Sequence, residues 1–372
     1  MKPVKICCFS LRWSSGGIES FLNNCILNMD LTGIEVDIVS PCIENSVFTQ
    51  KLKEKGVCFY PLSGKCWAIF KNGRMLKKLF AERHYSAVHF NLYEGLSLYY
   101  CLIAKRMGIK TRMVHAHQSG LRKSLFRPIK HLIHKSCSLA LAKYVTERFA
   151  CSKSAAEFFF PAGYDVTIIP NGIDCERFRF EPELRDLARS ELGINDEPLI
   201  GTIGRLSWEK NHDFLLDIFK SLQQKVPKAK LLIVGTGDLL SPLVDKAKRL
   251  EIADNVIFYG ETDSPERLLA AMDVFVMPSL LESFGMAAAE AQASGLFTIC
   301  SDIVPPQSAL TPLFSRLPLS MGAERWADEI LSALGEQVDR RKYAAYIKQS
   351  GFDAAETAKR LEIIYRASAS GS

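Results

Sequence analysis

The sequence predicts an α/β protein built from two Rossmann-like domains, each a doubly wound parallel sheet. Short, nearly continuous apolar runs alternate with longer helical patterns, as expected of parallel strands buried on both faces and joined by helical crossovers. The alternation runs from Val4 to Ile169 and begins afresh at Leu199. A length of 372 residues suits two domains at about 100–200 residues each.

In the first half, residues 4–9, 34–40, 87–90, 112–115, 148–151 and 166–169 read as strands, with helical patterns over 19–29, 94–107 and 154–160. In the second half the strands are 199–204, 230–235, 256–259, 274–278 and 297–300. The helices between them are 212–225, 240–250, 264–271 and 285–294, with Gly295 placed as a C-terminal cap. Residues 175–198 are charged, punctuated by Pro182, Gly193 and Pro198, and hold a short helical pattern over 182–192, so they read as a linker or interdomain segment. The domains are therefore expected to span 1–180 and 181–352, and an amphipathic helix over 353–367 closes the chain. Two such sheets predict a cleft between their carboxyl ends, where ligands of open α/β sheets bind.

Charge is unevenly spread. Residues 1–180 carry 26 Lys and Arg against 13 Asp and Glu, and residues 181–372 carry 21 against 28, within a net charge of +6. A basic half joined to an acidic half implies different partners for the two domains and argues against a uniform nucleic-acid coat. No recognised nucleic-acid module or aromatic–basic stacking array is present. Ten of the 11 cysteines precede residue 180, none as C-x-x-C and none at zinc spacing with a histidine. That usage implies free thiols in a reducing cytosol. Residues 1–9 read as a strand rather than a signal peptide, and no run approaches the ~20 apolar residues of a membrane span. The expectation is a cytoplasmic protein that touches a membrane at most from its surface.

Four constellations carry chemistry. Ser14-Ser15-Gly16-Gly17-Ile18-Glu19 follows the first strand and opens a helix. Paired glycines let the backbone approach a ligand, and a helix N-terminus favours an anion, although any strand-to-helix turn can hold glycines. The G-x-G-x-x-G dinucleotide fingerprint is absent. Gly201-Thr-Ile-Gly204-Arg205-Leu-Ser-Trp-Glu-Lys210 follows the first strand of domain two. Its two cations suit a diphosphate, Arg bidentately and Lys as a point charge; a solvated charged loop is the alternative. Pro278 to Glu290 ends a strand and opens an Ala-rich helix whose free N–H groups can cradle a phosphate. Glu282 before that helix and Glu290 inside it suit sugar hydroxyls; one loop and one surface Glu are the plain alternative. Finally, Val114-His115-Ala-His117-Gln118-Ser119 sets a polar tip at a strand end, with the two His rings expected on opposite faces. A zinc site there lacks a third ligand.

Taken in order along the chain, these motifs resemble the retaining GT-B glycosyltransferases, in particular glycosyltransferase family 4. The resemblance rests on the Gly16-Gly17 turn, I-P-N-G-I-D (169–174) with Phe178 four residues on, and G-R-L-S-W-E-K (204–210). It continues through G-T-G-D (235–238), N-V-I-F-Y-G (255–260) and the E-x7-E pair Glu282 and Glu290 within P-S-L-L-E-S-F-G-M. Two departures are Ala287, where the family often has Pro, and the segment 301–306, which lacks the usual acidic residue close behind a Gly. The chain is most similar to bacterial enzymes that build capsule, exopolysaccharide or lipopolysaccharide O-antigen.

The resemblance implies a nucleotide-sugar donor, with UDP as the nucleotide, and no cofactor or metal. Arg205 and Lys210 would neutralise the donor diphosphate, and Gly17, Phe284, Gly285 and Met286 would offer backbone N–H groups. Glu290 would hold the ribose, Glu282 the donor sugar, and His117, ahead of His115, would face the reacting sugar. Gly16, Gly204, Gly235, Phe258 and Ser283 complete the implied donor site, Asn171 and Asp174 a hinge, and residues 353–372 would rejoin domain one. No Asp-x-Asp pair, the metal anchor of the other nucleotide-sugar transferase fold, occurs. The acceptor implied is a saccharide, free or linked to undecaprenyl diphosphate. Residues 112–153 hold nine Lys and Arg and one acid, Glu147, and residues 122–135 interleave bases with Leu125, Phe126, Ile129, Leu132 and Ile133. Such a segment can lie on an anionic membrane surface, here the inner face of the cytoplasmic membrane; a solvated basic helix is the alternative. A sugar-nucleotide epimerase or hydrolase on the same fold, a basic nucleic-acid-binding protein and a catalytically silent scaffold subunit are the competing readings.

Overall fold

The computed structural model describes residues 3–14, 16–44, 47–118, 120–121 and 127–368, without the side chains of Val47 and Phe48. Ser15, Ser119 and residues 122–126, all within motifs named above, lie outside the described residues. In chain order the elements begin β1 (Val4–Ser10), α1 (Gly17–Asn28), β2 (Ile34–Ser40), α2 (Val47–Glu54), β3 (Cys58–Pro61), α3 (Ile69–Arg83) and β4 (Ala87–Leu92). They continue with α4 (Tyr99–Arg106), β5 (Thr111–Ala116), α5 (Arg127–Leu141), β6 (Glu147–Ala150), α6 (Lys153–Phe159) and β7 (Thr167–Ile168). Next come α7 (Pro182–Glu191), β8 (Leu199–Ile203), α8 (His212–Lys225), β9 (Lys230–Val234), α9 (Leu240–Arg249), β10 (Val256–Gly260) and α10 (Pro265–Ala271). The chain closes with β11 (Val274–Met277), α11 (Met286–Ala293), β12 (Phe297–Ser301), β13 (Phe314–Leu317), α12 (Gly322–Leu334), α13 (Tyr343–Gln349) and α14 (Ala354–Ala367).

Two compact units result, Met1–Gly172 with Ala354–Ser372, and Ile173–Asp353. The first holds a parallel sheet of seven strands in the order β3-β2-β1-β4-β5-β6-β7, the second a parallel sheet of six in the order β10-β9-β8-β11-β12-β13. Both orders reverse direction beside the first strand of their unit, and in such doubly wound sheets the switch point is where ligands bind. Each sheet is sandwiched between two apolar clusters. In the first unit, Phe9, Phe90 and Tyr100 lie in one and Ile6, Phe21 and Phe149 in the other. In the second, Phe275 and Met277 lie in one and Ile233, Val276 and Trp326 in the other. Strand β4 is buried at all six positions although His89 and Asn91 interrupt its apolar residues.

The domain boundary differs from the expected one. Ile173, Cys175 and Phe178 pack into the second unit's core, so the change-over falls after Gly172 and not after 180. The expected linker is likewise a domain element. Helix α7 packs its Arg185 and Arg189 against Asp273, at 2.6 and 3.4 Å, and against the carbonyls of residues 270–272. Helix α14 returns to the first unit, where Leu361 and Tyr365 are buried beside Ile6 and Phe21. Strands β3 and β13 and helices α2, α3, α12 and α13 have no counterpart in the sequence reading. Strand β3 is four half-exposed residues ending in proline. Helix α3 hides its periodicity behind buried Asn72 and Gly73, where a Cβ would come 2.7 Å from Ile103 and 2.8 Å from Tyr99.

Candidate active site

In the second unit, the loops leaving the carboxyl ends of β8, β9 and β11 are bound to one another by backbone. Gly204 N–H donates to Val234 O, Leu206 N–H to Thr236 O and Leu280 N–H to Glu209 O, at 2.8–2.9 Å. Packing this close demands glycine. At Gly235 (φ +135°) a Cβ would sit 2.0 Å from Gly204 O, and at Gly237 (φ +157°) 2.3 Å from Leu206 O. The G-T-G sequence is therefore first a structural requirement of this edge.

The same loops carry the charges. Lys210 Nζ lies 2.5 Å from Glu282 Oε2, and Glu282 Oε1 accepts from Ser283 N–H at 3.1 Å. The pair is mostly shielded from solvent, whereas Arg205, on the same loop as Lys210, is exposed. Asn211 Nδ2 donates to Pro278 O at 3.0 Å and ties this loop to the end of β11. Gly285 turns the chain at φ +85°, where a Cβ would lie 2.9 Å from Met277 Cε. Helix α11 then starts at Met286 without a side-chain cap, so its first N–H groups are not satisfied by a capping side chain. Phe284 and Met286 are buried, and Ser283 is exposed.

Glu290 lies one turn inside α11. Its carboxyl is crowded by protein, and burial pushes its pKa up to about 7 against the pull of Arg177; Glu266 adds to the rise. Arg177 is itself held by Glu266, its Nε donating at 2.9 Å. Among the described residues, no hydrogen-bond donor meets the Glu290 carboxyl. Phe258 is not brought to this edge. It sits mid-strand in β10, opposite Ile233, and packs against the core.

In the first unit, Gly16 caps α1 and Gly17 is its first residue. The space a Gly16 Cβ would fill holds the carboxylate of Glu19, 2.4 Å away, which is buried at the helix start. His117 follows β5 and is buried, with Nε2 2.9 Å from Asn91 Oδ1. Asn91 Nδ2 faces two carbonyls, Phe9 O at 3.3 Å and His89 O at 3.4 Å. Its Oδ1 is therefore the acceptor, Nε2 of His117 carries the proton, and Nδ1 presents a lone pair. Among the described residues neither that Nδ1 nor Asn171 Oδ1 makes a hydrogen bond of good geometry, although Asn171 is close enough to pull the His117 pKa up against burial.

His115 and His117 share a face of the strand rather than taking opposite ones. Residues two apart on a strand point the same way, and the two rings lie 4.1 Å apart. His115 Nε2 bonds Ile169 O at 3.1 Å, and His89 stacks behind it with Nδ1 2.7 Å from Tyr365 Oη. Burial drives all three imidazoles down, His89 and His117 to about 3, with mutual repulsion adding to the effect for His115 and His117. This histidine cluster is thus polar but uncharged. Among the described residues no cluster of His, Cys, Asp and Glu could hold a metal. The sequence reading passed over Asn91, Asn171 as a partner of His117, and the Arg177–Glu266 pair. A lone Asn inside the apolar run of β4 was the available signal for the first.

Comparison with known proteins places this geometry in a family. Residues 15–177 match the model described as Glycosyltransferase Family 4, and residues 185–350 that of Glycosyl transferases group 1. A Bacillus subtilis (strain 168) protein named as a glycosyltransferase, EpsF, is 27% identical over 364 residues, 95% of this chain and 94% of that one. The Escherichia coli UDP-Gal:alpha-D-GlcNAc-diphosphoundecaprenol alpha-1,3-galactosyltransferase is 27% identical over 281 residues, 72% of each chain. Among solved structures, Anabaena Alr3699/HepE in complex with UDP aligns with a TM-score of 0.76 at 16% identity, over 98% of this chain and all of that one, and so shares the fold. The fold is GT-B, and the protein is a glycosyltransferase. The chain belongs to glycosyltransferase family 4.

Proposed function

We propose that the protein transfers a sugar from a UDP-sugar to a hydroxyl of a lipid-linked saccharide, with retention of anomeric configuration and without a metal, in bacterial surface-polysaccharide assembly. The observation that carries this reading is the second unit's carboxyl edge, where Arg205, Lys210, Glu282, Glu290 and the uncapped start of α11 follow from adjoining strands. Arg205 and Lys210 balance the diphosphate charge that grows as the glycosidic bond breaks, an electrostatic role worth several kcal/mol in such sites. Donor phosphate draws Lys210 away from Glu282, freeing that carboxylate for a hydroxyl of the donor sugar. Glu290 accepts from the ribose hydroxyls, the donors its carboxyl otherwise lacks. His117 accepts a hydroxyl of the reacting sugar at Nδ1. The acceptor oxygen bonds to the anomeric carbon on the face that the diphosphate leaves, through an oxocarbenium-like state, and its proton passes to the departing β-phosphate oxygen.

UDP and the lipid diphosphate are favoured by the E. coli relative, whose name states both, and UDP also by the HepE complex. Helix α5 supports a membrane-held acceptor. It buries His134 and Ser138 (1 and 2% exposed) and turns Ile129, Leu132, Ile133 and Leu139 outward (44–67%), the reverse of a helix that packs by its apolar face. It carries Arg127, Lys130 and Lys135 and no acid, which matches an anionic lipid surface. No helix among the described residues is long and apolar enough to cross a membrane.

The test is a panel of UDP-, GDP- and ADP-sugars scored by thermal stabilisation and nucleotide release, with and without EDTA, followed by NMR of the product's anomeric configuration. The reading expects stabilisation by UDP-sugars, EDTA-insensitive turnover and an α-linked product from an α-linked donor. Inversion, or turnover abolished by EDTA, would overturn the mechanism.

A further inference from the structure

We propose that Cys42 and Cys66 form an oxidisable dithiol, a modification site that a peroxide-class oxidant converts to a disulfide. Their sulfurs are 3.4 Å apart, with the Cys66 thiol donating to Cys42 Sγ and Cys42 Sγ in turn 2.9 Å from Gly64 O. Both are half-buried, within reach of a small oxidant, whereas seven of the other nine cysteines are buried. The pair is held in register by backbone on both sides. Gly64 N–H donates to Pro41 O at 2.9 Å, Leu62 N–H to Ser40 O at 2.9 Å and Trp13 N–H to Cys42 O at 2.8 Å. Closing the bond therefore asks for movement of the side chains more than of the loops that carry them.

Burial and hydrogen bonding sort the two roles. The guanidinium of Arg12, which stands early in the loop after β1 and is paired with Glu44, interacts electrostatically with both sulfurs. A thiolate beside a guanidinium is the reactive form of cysteine. Burial and its bond to Cys42 push the Cys66 thiol up to about 11, which keeps it protonated and makes it the resolving partner. Cys42, whose thiol donates to Gly64 O at 2.9 Å, gives up that proton to solvent and attacks one peroxide oxygen, forming the sulfenic acid and releasing hydroxide. The Cys66 sulfur then bonds to Cys42 Sγ and expels the sulfenic oxygen, which leaves as water with the Cys66 proton. In total, two thiols and one hydrogen peroxide give one disulfide and two waters. The bond would tie the loop after β2 to the loop after β3, on the edge of the first unit that also carries Arg12 and the Gly16–Gly17 turn.

The full-length protein is treated with a few equivalents of hydrogen peroxide, blocked with iodoacetamide and digested with trypsin and Glu-C without reduction. These enzymes isolate Cys42 on residues 36–44 and Cys66 on residues 66–71. The expected product is the cross-linked pair of peptides, in at least tenfold excess over any other oxidised cysteine and restored to thiols by dithiothreitol. Cys66→Ser should trap Cys42 as a sulfenic acid that dimedone captures, and Cys42→Ser should leave Cys66 unmodified. Should either variant fail to fold, the wild-type peptide map decides alone. Preferential oxidation of the exposed Cys58, a cross-link joining other cysteines, or an uncross-linked sulfinic acid at Cys42 would overturn the proposal.

Discussion

The carboxyl edges of the two sheets share a topology and differ in their chemistry. The second unit's edge is charged, with Arg205 exposed, Lys210 and Glu282 paired, and Glu290 held up to about 7. The histidine cluster at the first unit's edge is neutral, with His89 and His117 driven down to about 3 by burial and their free nitrogens unpartnered. Charge is costly to bury without a partner, which fits the proposed reading of a donor diphosphate at the second unit's edge and a sugar hydroxyl at the histidine cluster. The basic excess of the first half is a surface property, part of it on α5.

The largest effect should come from removing the charges. Arg205→Ala and Lys210→Ala are each expected to lower kcat/KM by about 10²–10³, the loss typical of one electrostatic stabiliser at a site of developing charge. Lys210→Ala also strands the half-buried Glu282 carboxylate, so adding Glu282→Gln should recover part of the folding stability but none of the activity. Steady-state kinetics with the cognate donor measure the first, thermal denaturation the second. Losses below threefold for both cations would remove the distinction between the edges.

A second expectation is that the two edges respond to pH with opposite sign. Glu290 keeps its proton up to about pH 7 when folded but only to about 4.5 when unfolded. The folded state binds more protons in that window, so stability falls as pH rises through it, by about 3 kcal/mol. His89 and His117 have folded values near 3, below the 6.5 of the unfolded chain, so their contribution is present above 6.5 and is lost as pH falls. Hydrogen exchange read by mass spectrometry should therefore show β4 and β5 losing protection from pH 7 to 5 while α11 gains it. Glu290→Gln should remove the α11 response. UDP should bind wild type about tenfold more weakly at pH 6 than at pH 8, because a protonated Glu290 accepts poorly from ribose, and the Gln variant should be flat. An unchanged donor KM in Glu290→Ala would sink the ribose assignment.

A smaller effect separates positioning from bulk at the neutral edge. Asn91→Ala should cost about tenfold in kcat with KM for the donor little changed, as expected when one orienting hydrogen bond is lost. Asn91→Asp places an anion against Nε2 and should raise the His117 pKa, introducing a His titration into the pH–rate profile that wild type lacks. Nitrogen chemical shifts of His117 report the same change directly. A wild-type His117 protonated at Nδ1 would reverse the assigned roles of its two nitrogens.

How far these sites were legible in sequence follows from what each residue does. The strands of both sheet centres are largely buried on both faces; β8, β9 and β11 announce themselves as mostly apolar runs, whereas β2 and β4 hold Asp37, His89 and Asn91 within theirs. Lys210, Glu282 and Glu290 stand out because they are charged residues beside strand ends and glycines. Asn91 was missed because its role depends on a contact 26 residues away in sequence, across neighbouring strands. Phe258 was misplaced because an aromatic within a strand has the same sequence signature whether it lines a site or a core. The linker was misread because Arg185 and Arg189 look solvated until Asp273, far along the chain, is seen beside them.

The smallest effect on stability tests where the first half's charge belongs. Ile129, Leu132 and Ile133 of α5 are exposed, so Ile129→Glu, Leu132→Glu and Ile133→Glu should each change folding stability by no more than about 0.5 kcal/mol. A core helix treated this way would unfold, since burying three unpaired charges is far costlier. Combined, the three substitutions should abolish co-sedimentation with phosphatidylglycerol vesicles, and salt should weaken the wild-type interaction while vesicles of phosphatidylcholine alone bind little. Loss of folding in the triple variant would show that the face is covered by protein. Wild-type vesicle binding unaffected by the triple change would move the membrane contact away from α5 and return the basic excess to the rest of the first unit.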